Sequence, residues 1–514
     1  MASCNRKVEA DFVIIGGGTA GCVIATRLAE YGFETLLISS GLNDTENPLM
    51  KQSSLYRQVS QSPQFKHYLV PDASCSLNNT SVDITVINTL GGSSINGGGM
   101  ERMTANEWNS FVHATGDESF DCRMMSKYYK MTENYTTNDP SFIAENHGHN
   151  GPIKITKPYN FEFYNVWESV AREIGETFSN DFVDGLDYGF SFEASSFTNG
   201  ERSWSGNAYL VPALAKYSNL KIITGATVIK LDVDEETKQI KNVVFISCDD
   251  LFSATARKEY ILSAGTFYSP HLLMLSGVGD PDTLQQHRIP IKHELRQVGK
   301  NLMDNGAVVI EYKSTNLSFE SCKPMALINS QSLTTDTNPD IFFFLQPNEK
   351  TKHVDAVIFN ASPKSTIGSV SLYNSNPLIL PKITLNYLKD QNDVATFING
   401  IKYVQRIMST GTIMSYLQLT EIPPITKEMD LPTYVRNKLM GAAHFVGTCS
   451  MGRNAQNSVV DNYFKVHGMG NLRIVDGSVF PAGLASKTGP CHTIYALAEK
   501  AADLIRQEYS SNNL

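Results

Sequence analysis

The segment that most constrains this 514-residue chain is Gly16-Gly17-Gly18-Thr19-Ala20-Gly21, which turns directly from a short apolar strand, Asp11–Ile15, into a helix. In such a turn Gly16 permits the tight bend and Gly18 lets backbone approach a pyrophosphate. Gly21 lets helix and strand pack closely, and the helix N-terminus attracts the anion. The helix carries Ile24, Leu28 and Tyr31 on one face and stops at Gly32, after which Thr35–Ile38 reads as a second strand. This β-α-β unit predicts a Rossmann-like dinucleotide site; a purely structural glycine turn is the alternative. A carboxylate is expected at the end of the second strand to hold a ribose, but the chain reads Ile38-Ser39-Ser40-Gly41. Hydroxyls of Ser39 and Ser40 bond a ribose more weakly than an ionised acceptor does.

A chain of this length exceeds what one hydrophobic core supports, so two or more domains are expected. Net charge is −9 without a dense Lys/Arg run, which argues against a nucleic-acid partner. No apolar run is long enough for a transmembrane helix. The polar Met1–Ala10 lacks a signal-peptide core, so no leader or membrane anchor is expected and the compartment reads as cytoplasmic or open. Asn79–Ser81 and Asn134–Thr136 are then chance glycosylation triplets. Eight scattered cysteines form no CxxC pair, so no metal site is expected.

Further along, Leu220–Val233 and Lys241–Ser247 read as a hairpin or meander, and Tyr260–Ala264 as a buried strand before a helix starting near Pro270. Val308–Tyr312, Ile341–Phe344 and Val370–Tyr373 suggest an antiparallel sheet, followed by helix near 391–409. The chain closes with a strand, Leu472–Val475, and a helix bearing Ile494, Leu497, Ala501 and Ile505 at helical spacing. With no repeat and no linker, the domains are expected to be interleaved.

Four more segments point to a family. Gly265-Thr-Phe-Tyr-Ser269-Pro270 through Ser276-Gly277-Val278-Gly279 resembles the second signature of the glucose–methanol–choline (GMC) oxidoreductases. Leu90-Gly91-Gly92-Ser93-Ser94-Ile95-Asn96-Gly97 resembles the first, one residue short before the asparagine. His444-Phe-Val-Gly447-Thr448-Cys449-Ser450-Met451-Gly452 is similar to the family's H-x-x-G-T-C-x-M-G, with Leu472–Ser478 following at family spacing. Val298–Asn305 completes the series. The resemblance covers nearly the whole chain and includes compact members such as plant mandelonitrile lyases and aryl-alcohol oxidases.

The resemblance implies an α/β fold, α+β overall. A Rossmann-like FAD-binding domain (1–150, 205–305 and 440–514) would interleave with a substrate domain on an antiparallel sheet (151–204 and 306–439). It implies oxidation of a small-molecule alcohol by hydride transfer to FAD, with His444 taking the hydroxyl proton; imidazole suits that role by its near-neutral pKa. The bland alternative is a packed histidine beside a glycine turn. FAD would contact Gly16, Gly18, Thr19, Ala20 and Gly21, then Ser39 and Ser40, and Gly91, Gly92, Ser93, Asn96, Gly97 and Gly98. Val228, Ala264, Gly265, Asp476, Gly477, His492 and Thr493 complete that expectation. Family members place a second His or Asn just before the terminal helix. Here that position falls at Gly489, in Lys487-Thr488-Gly489-Pro490-Cys491-His492. His492, one helical turn on, is the candidate replacement, with packing or cofactor contact as its other readings. Gly489 and the one-residue deletion keep a non-catalytic FAD-binding member in view. A hydroxynitrile lyase, suggested by compact length and Asp304-Asn305, is a third reading. His271, His287, His293 and Trp108 read as packing or surface residues. Phe342–Phe344 reads as a buried strand more readily than as a substrate aromatic cage. Oligomeric state and electron acceptor are left open.

Overall fold

A computed structural model of the chain describes residues 6–511 apart from 53–54, 56–57, 60–61, 79–80, 97, 183–187, 318–321, 331–337, 349, 365–366 and 422–429. Gly97 and the Asn79–Ser81 triplet therefore fall, wholly or in part, outside the described residues. The fold is α/β in the Rossmann-like part and is completed by a second, antiparallel sheet.

The first sheet has a parallel core. Leu220–Ile223 lies at one edge, followed by Thr35–Ile38, Arg6–Ile15, Asp250–Leu262 and Leu472–Ile474. Val13, Ile14, Ile15, Leu36, Leu37 and Ile38 are all buried, as expected for parallel strands covered on both faces. Ala226–Val233 and Ile240–Ser247 extend the sheet as an antiparallel hairpin. Leu220–Val233 is therefore two strands. Gly225, at φ +63, redirects the chain so that the first half joins Thr35–Ile38 and the second joins the hairpin.

The helix after the central strand spans Gly265–Leu275 and so begins one turn earlier than Pro270 suggested. Proline offers no N–H to the Thr266 carbonyl. That carbonyl instead accepts the Thr448 hydroxyl at 2.6 Å, so the helix tolerates an internal proline.

The second sheet is antiparallel, in the order Leu419–Glu421, Ala307–Ser314, His353–Asn360, Ile341–Asn348, Pro324–Ile328 and Gly189–Phe192. Its outer face is covered by helices Phe161–Ile174 and Gln391–Met408: Trp167 meets the rings of Phe190 and Phe343, and Gly400 lies against Ile341 and Ile358. Val370–Tyr373 does not join this sheet. Ser369–Ser371 pairs with Lys382–Thr384 in a separate ribbon. The polar stretch between 40 and 90 holds a hairpin, Lys66–Leu69 with Ile84–Ile87. Among the described residues no helix is long and apolar enough to cross a membrane, and no His/Cys/Asp/Glu group could hold a metal.

Candidate active site

The glycine loop is shaped by contacts that only glycine survives. Gly16 has φ +107, and a Cβ there would sit 2.4 Å from the Ser263 carbonyl oxygen; at Gly21 it would sit 1.9 Å from the Gly16 carbonyl oxygen. At Gly18 the nearest atom to a Cβ is 3.9 Å away. Two glycines thus close the turn, while the third leaves open space at the N-terminus of the Thr19–Glu30 helix, where Thr19 and Ala20 form the first turn. The Ser263 hydroxyl beside this loop is buried without a hydrogen-bond partner. This cradle fits a diphosphate-bridged dinucleotide.

The second glycine-dense segment lies directly against it. The Gly91 N–H donates to the Gly17 carbonyl at 2.8 Å, and a Cβ on Gly92 would meet the Gly18 Cα at 3.0 Å. Trp204 Nε1 donates to the Leu90 carbonyl and packs over Gly91. Ser93 is exposed and Asn96 half-buried in the same turn, while Gly98 makes room for the Phe197 ring. Across the sheet, the Gly265 N–H and the Ser269 hydroxyl both donate to Asp476 Oδ2, at 2.8 and 2.6 Å, and the Ser478 N–H donates to Oδ1. Asp476 therefore ties the Gly265–Leu275 helix to the C-terminal segment, where Gly477 abuts Thr266. Gly265 itself has nothing within 4 Å of a Cβ. Val228 is half-buried at a bulge of its strand.

At the end of Thr35–Ile38, Ser39 is buried beneath Gly17 and Ser40 starts a hydrogen-bonded chain that no local motif announces. The Ser40 hydroxyl donates to Asn88 Oδ1 at 2.8 Å, and Asn88 Nδ2 reaches His67 Nε2 at 3.2 Å. His67 Nε2 is then an acceptor, so Nδ1–H donates to the Tyr268 hydroxyl at 2.8 Å. Burial lowers the His67 pKa, which agrees with a neutral ring. The chain joins the Lys66–Leu69 hairpin to the Gly265–Leu275 helix where a ribose-binding acid was expected.

His444 sits where three segments meet. Its backbone N–H donates to Asp304 Oδ1 at 2.7 Å, and the Ala442 N–H donates to Asp304 Oδ2 at 3.0 Å. The Tyr387 hydroxyl also donates to Asp304 Oδ2. Asp304 is fully buried and so fixes the backbone on which the imidazole is mounted. The ring stacks on Phe359, with centroids 5.7 Å apart and 13° between planes. Nδ1 lies 3.2 Å from Asn305 Oδ1, while Asn305 Nδ2 donates to the Asn360 carbonyl at 2.9 Å. That second bond turns the amide oxygen toward the imidazole, so Nδ1 carries the proton and Nε2 keeps a lone pair. Burial lowers the His444 pKa, with the Asp304 charge opposing it in part.

Nε2 faces Gly489: a Cβ there would lie 3.2 Å from it. The position expected to carry the second polar group is thus beside the imidazole and offers no side chain. With φ +115, Gly489 is also in a conformation that side-chain-bearing residues rarely adopt. The buried hydroxyl of neighbouring Thr488 has no hydrogen-bond partner.

His492 does not replace it. Its Nδ1 is 2.8 Å from the Met100 carbonyl, and its Nε2 faces Thr132 and Glu133 at 3.3 and 3.4 Å rather than His444. Burial pushes its pKa down to about 4, against the opposing charge of Glu133. The ring is held in a buried cluster with Tyr129, and Thr493 bonds the Tyr129 hydroxyl at 2.7 Å. Lys487 is likewise buried, donating to the Pro339 carbonyl and to Ser362. His271 is a packed residue whose pKa burial takes down to about 4, His293 bonds the His467 carbonyl, and Trp108 lies in the core. The three phenylalanines divide by strand alternation: Phe343 enters the main core, whereas Phe342 and Phe344 join Phe359 on the face toward His444.

Comparison with known proteins agrees with this architecture. Two family profiles, both described as GMC oxidoreductase, match residues 10–306 and 363–498. Pyranose dehydrogenase 3 of Leucoagaricus meleagris is 28% identical over 574 aligned positions, covering 98% of this chain and 94% of its own length. Oxygen-dependent choline dehydrogenase 1 of Chromohalobacter salexigens is 28% identical over 550, covering 97% and 95%. Among solved structures, a formate oxidase superposes with a TM-score of 0.88 at 22% identity over 99% of this chain and all of that one. A fungal aryl-alcohol oxidase superposes with a TM-score of 0.83 at 20% identity, over 98% and 99%.

Proposed function

The chain belongs to the GMC oxidoreductase family, whose cofactor is FAD, and from that premise we propose that it oxidises an alcohol with His444 as the general base. Bound FAD supplies the two-electron acceptor for the hydride that leaves the carbinol carbon. Gly16, Gly18 and Gly21 with Thr19 and Ala20 would hold the diphosphate. Ser39 and Ser40 would take the ribose. Gly91, Gly92, Ser93, Asn96 and Gly98 would lie along the cofactor from the other side, with Val228, Ala264, Gly265, Asp476 and Gly477 completing the cradle.

The observation that carries the reading is the fixed tautomer of His444. A base must present an unprotonated nitrogen to the hydroxyl it deprotonates, and the Asn305 amide leaves that nitrogen at Nε2, on the side of Gly489. A lowered pKa keeps the ring neutral at physiological pH. Asp304 holds the backbone, so the imidazole needs little rearrangement to accept the proton.

Gly489 favours a second reading, in which the fold and FAD are retained in a purely structural role; it counts against cyanohydrin cleavage, whose second histidine would fall at Lys487 or Gly489. One experiment separates them. Purified protein should be yellow, and anaerobic mixing with alcohols should bleach the flavin. A flavin that only dithionite bleaches excludes alcohol oxidation. Cyanide release from mandelonitrile without bleaching selects the lyase. Protein that is colourless and cannot be reconstituted with FAD excludes both.

A further inference from the structure

The sheet face turned toward His444 has a composition that narrows the substrate. Cross-strand partners in an antiparallel sheet share a face, so the register can be read as rows. One row runs Leu327, Phe342, Phe359, Ala307, and the next runs Met325, Phe344, Val357, Val309. Phe359 in the first row stacks on the His444 imidazole, so these rows form the wall beside the base. The rings of Phe342, Phe344 and Phe359 lie within 6.0 Å of one another, centroid to centroid. Phe344 and Val309 are only half-buried although they face inward, so this wall keeps accessible surface. The second row continues into the buried Ser191, and the Lys323 ammonium lies 6.0 Å from the Phe344 ring at the same edge; toward the other end Gln346, Asp355 and Glu311 begin one row further out.

We propose that the substrate is an uncharged, largely apolar alcohol, flat enough to lie along the accessible Phe344 and Val309, with the hydroxyl at His444 as its one polar group at that depth. This rests on His444 being the base for an alcohol. A polyol laid against the two rows would bury hydroxyls with no partner, each costing about 1–3 kcal/mol. An ammonium group would be drawn to aromatic faces, but tight binding of one needs rings on several sides. These three rings lie on one side of a sheet, with Phe342 and Phe359 buried and Phe344 half-buried, so they offer one platform edge and no enclosure. Gly489 opposite them has no side chain, which leaves room for bulk on the carbinol carbon.

The test uses the FAD-loaded protein under anaerobic conditions, measuring flavin reduction by benzyl alcohol, cinnamyl alcohol, glucose and choline. The apolar alcohols should reduce the flavin with a second-order rate constant at least about a hundredfold above glucose and choline. Phe344→Gln should lower the value for benzyl alcohol about tenfold while FAD content stays constant, which checks that the wall carries the preference. Reduction by glucose or choline as fast as by benzyl alcohol overturns the proposal and leaves alcohol oxidation standing. Reduction by none of the four, with dithionite still bleaching the flavin, overturns the alcohol reading and the proposal together. A Phe344→Gln protein with full FAD and unchanged rates removes the platform from substrate selection.

Discussion

Asn305 and His444 form the pair on which the proposed chemistry turns: the amide oxygen lies 3.2 Å from Nδ1, and the amide nitrogen is committed to the Asn360 carbonyl at 2.9 Å. A group that touches no substrate thereby decides which imidazole nitrogen is basic. Asn305→Leu frees both the tautomer and the ring orientation. The anaerobic flavin-reduction rate should fall about 10–100-fold, the usual cost of losing such a support, while FAD content is retained.

Removing the proposed base itself should have a larger effect. His444→Ala should cut the rate of flavin reduction by roughly 10²–10⁴-fold with FAD still bound. An unchanged rate in stopped-flow measurements excludes His444 from proton transfer.

The pH dependence follows in sign from burial of that ring. In the proposed mechanism the neutral form is the active one, and its pKa is lowered from 6.5. The reduction rate should therefore be flat through neutrality and fall only as pH drops through a value below 6.5. Asn305→Asp places a negative charge beside the ring, which favours the imidazolium and moves the acid limb upward. An acid limb above 6.5 in the unsubstituted protein contradicts this.

Gly489 is constrained twice, by φ +115 and by its 3.2 Å approach to Nε2. Gly489→Ala should lower stability by about 1–3 kcal/mol through backbone strain. Its Cβ should also crowd the place a hydroxyl takes at Nε2. Thermal denaturation and substrate affinity should both worsen; an unchanged melting temperature refutes the strain.

The Ser40–Asn88–His67–Tyr268 chain stands where a ribose-binding carboxylate was expected. His67→Ala breaks it in the middle and should release FAD faster, on the order of tenfold, equivalent to about 1.4 kcal/mol. The measurement is recovery of flavin fluorescence on dilution. Equal release rates assign the chain a structural role alone.

Behind the site, Glu133 holds His492 and the surrounding helices. Burial alone would raise its carboxyl, but hydrogen bonds from His147 and Arg102 outweigh it and hold the group well below the usual carboxylate range. A folded-state pKa below the unfolded value gives stability that is fully present above about pH 4.5 and is lost as pH falls further. Glu133→Gln leaves Arg102 without a buried counter-charge and should cost about 3–5 kcal/mol, read by urea denaturation at pH 7.

The chain order of the glycine loop, both signature segments and the His444 segment was legible in the sequence, because each is a local pattern whose backbone demands are met by its own residues. Gly16, Gly18 and Gly21 could be assigned a tight turn, backbone approach to a pyrophosphate and close packing in advance; the fold gives Gly16 a positive φ and places a Gly21 Cβ 1.9 Å from the Gly16 carbonyl oxygen. The empty position at Gly489 was legible too, as a residue count back from the terminal helix. Element boundaries were less so: Gly225 splits an apparent strand, and Thr448 rescues a proline inside a helix, both through contacts distant in sequence.

Tertiary structure alone decided what surrounds the imidazole. Nothing near His444 in the chain indicates that Asn305 fixes its tautomer, that Asp304 carries its backbone, or that Phe359 lies on its face. Nor does spacing reveal that His492, one turn beyond Gly489, points to Met100 and Glu133. Hydrogen-bond partners and burial depend on which segments the sheets bring together, so the sequence by itself determined the family and the cofactor. The tautomer of His444, the apolar wall beside it and the distance of His492 from it emerged only when distant strands met.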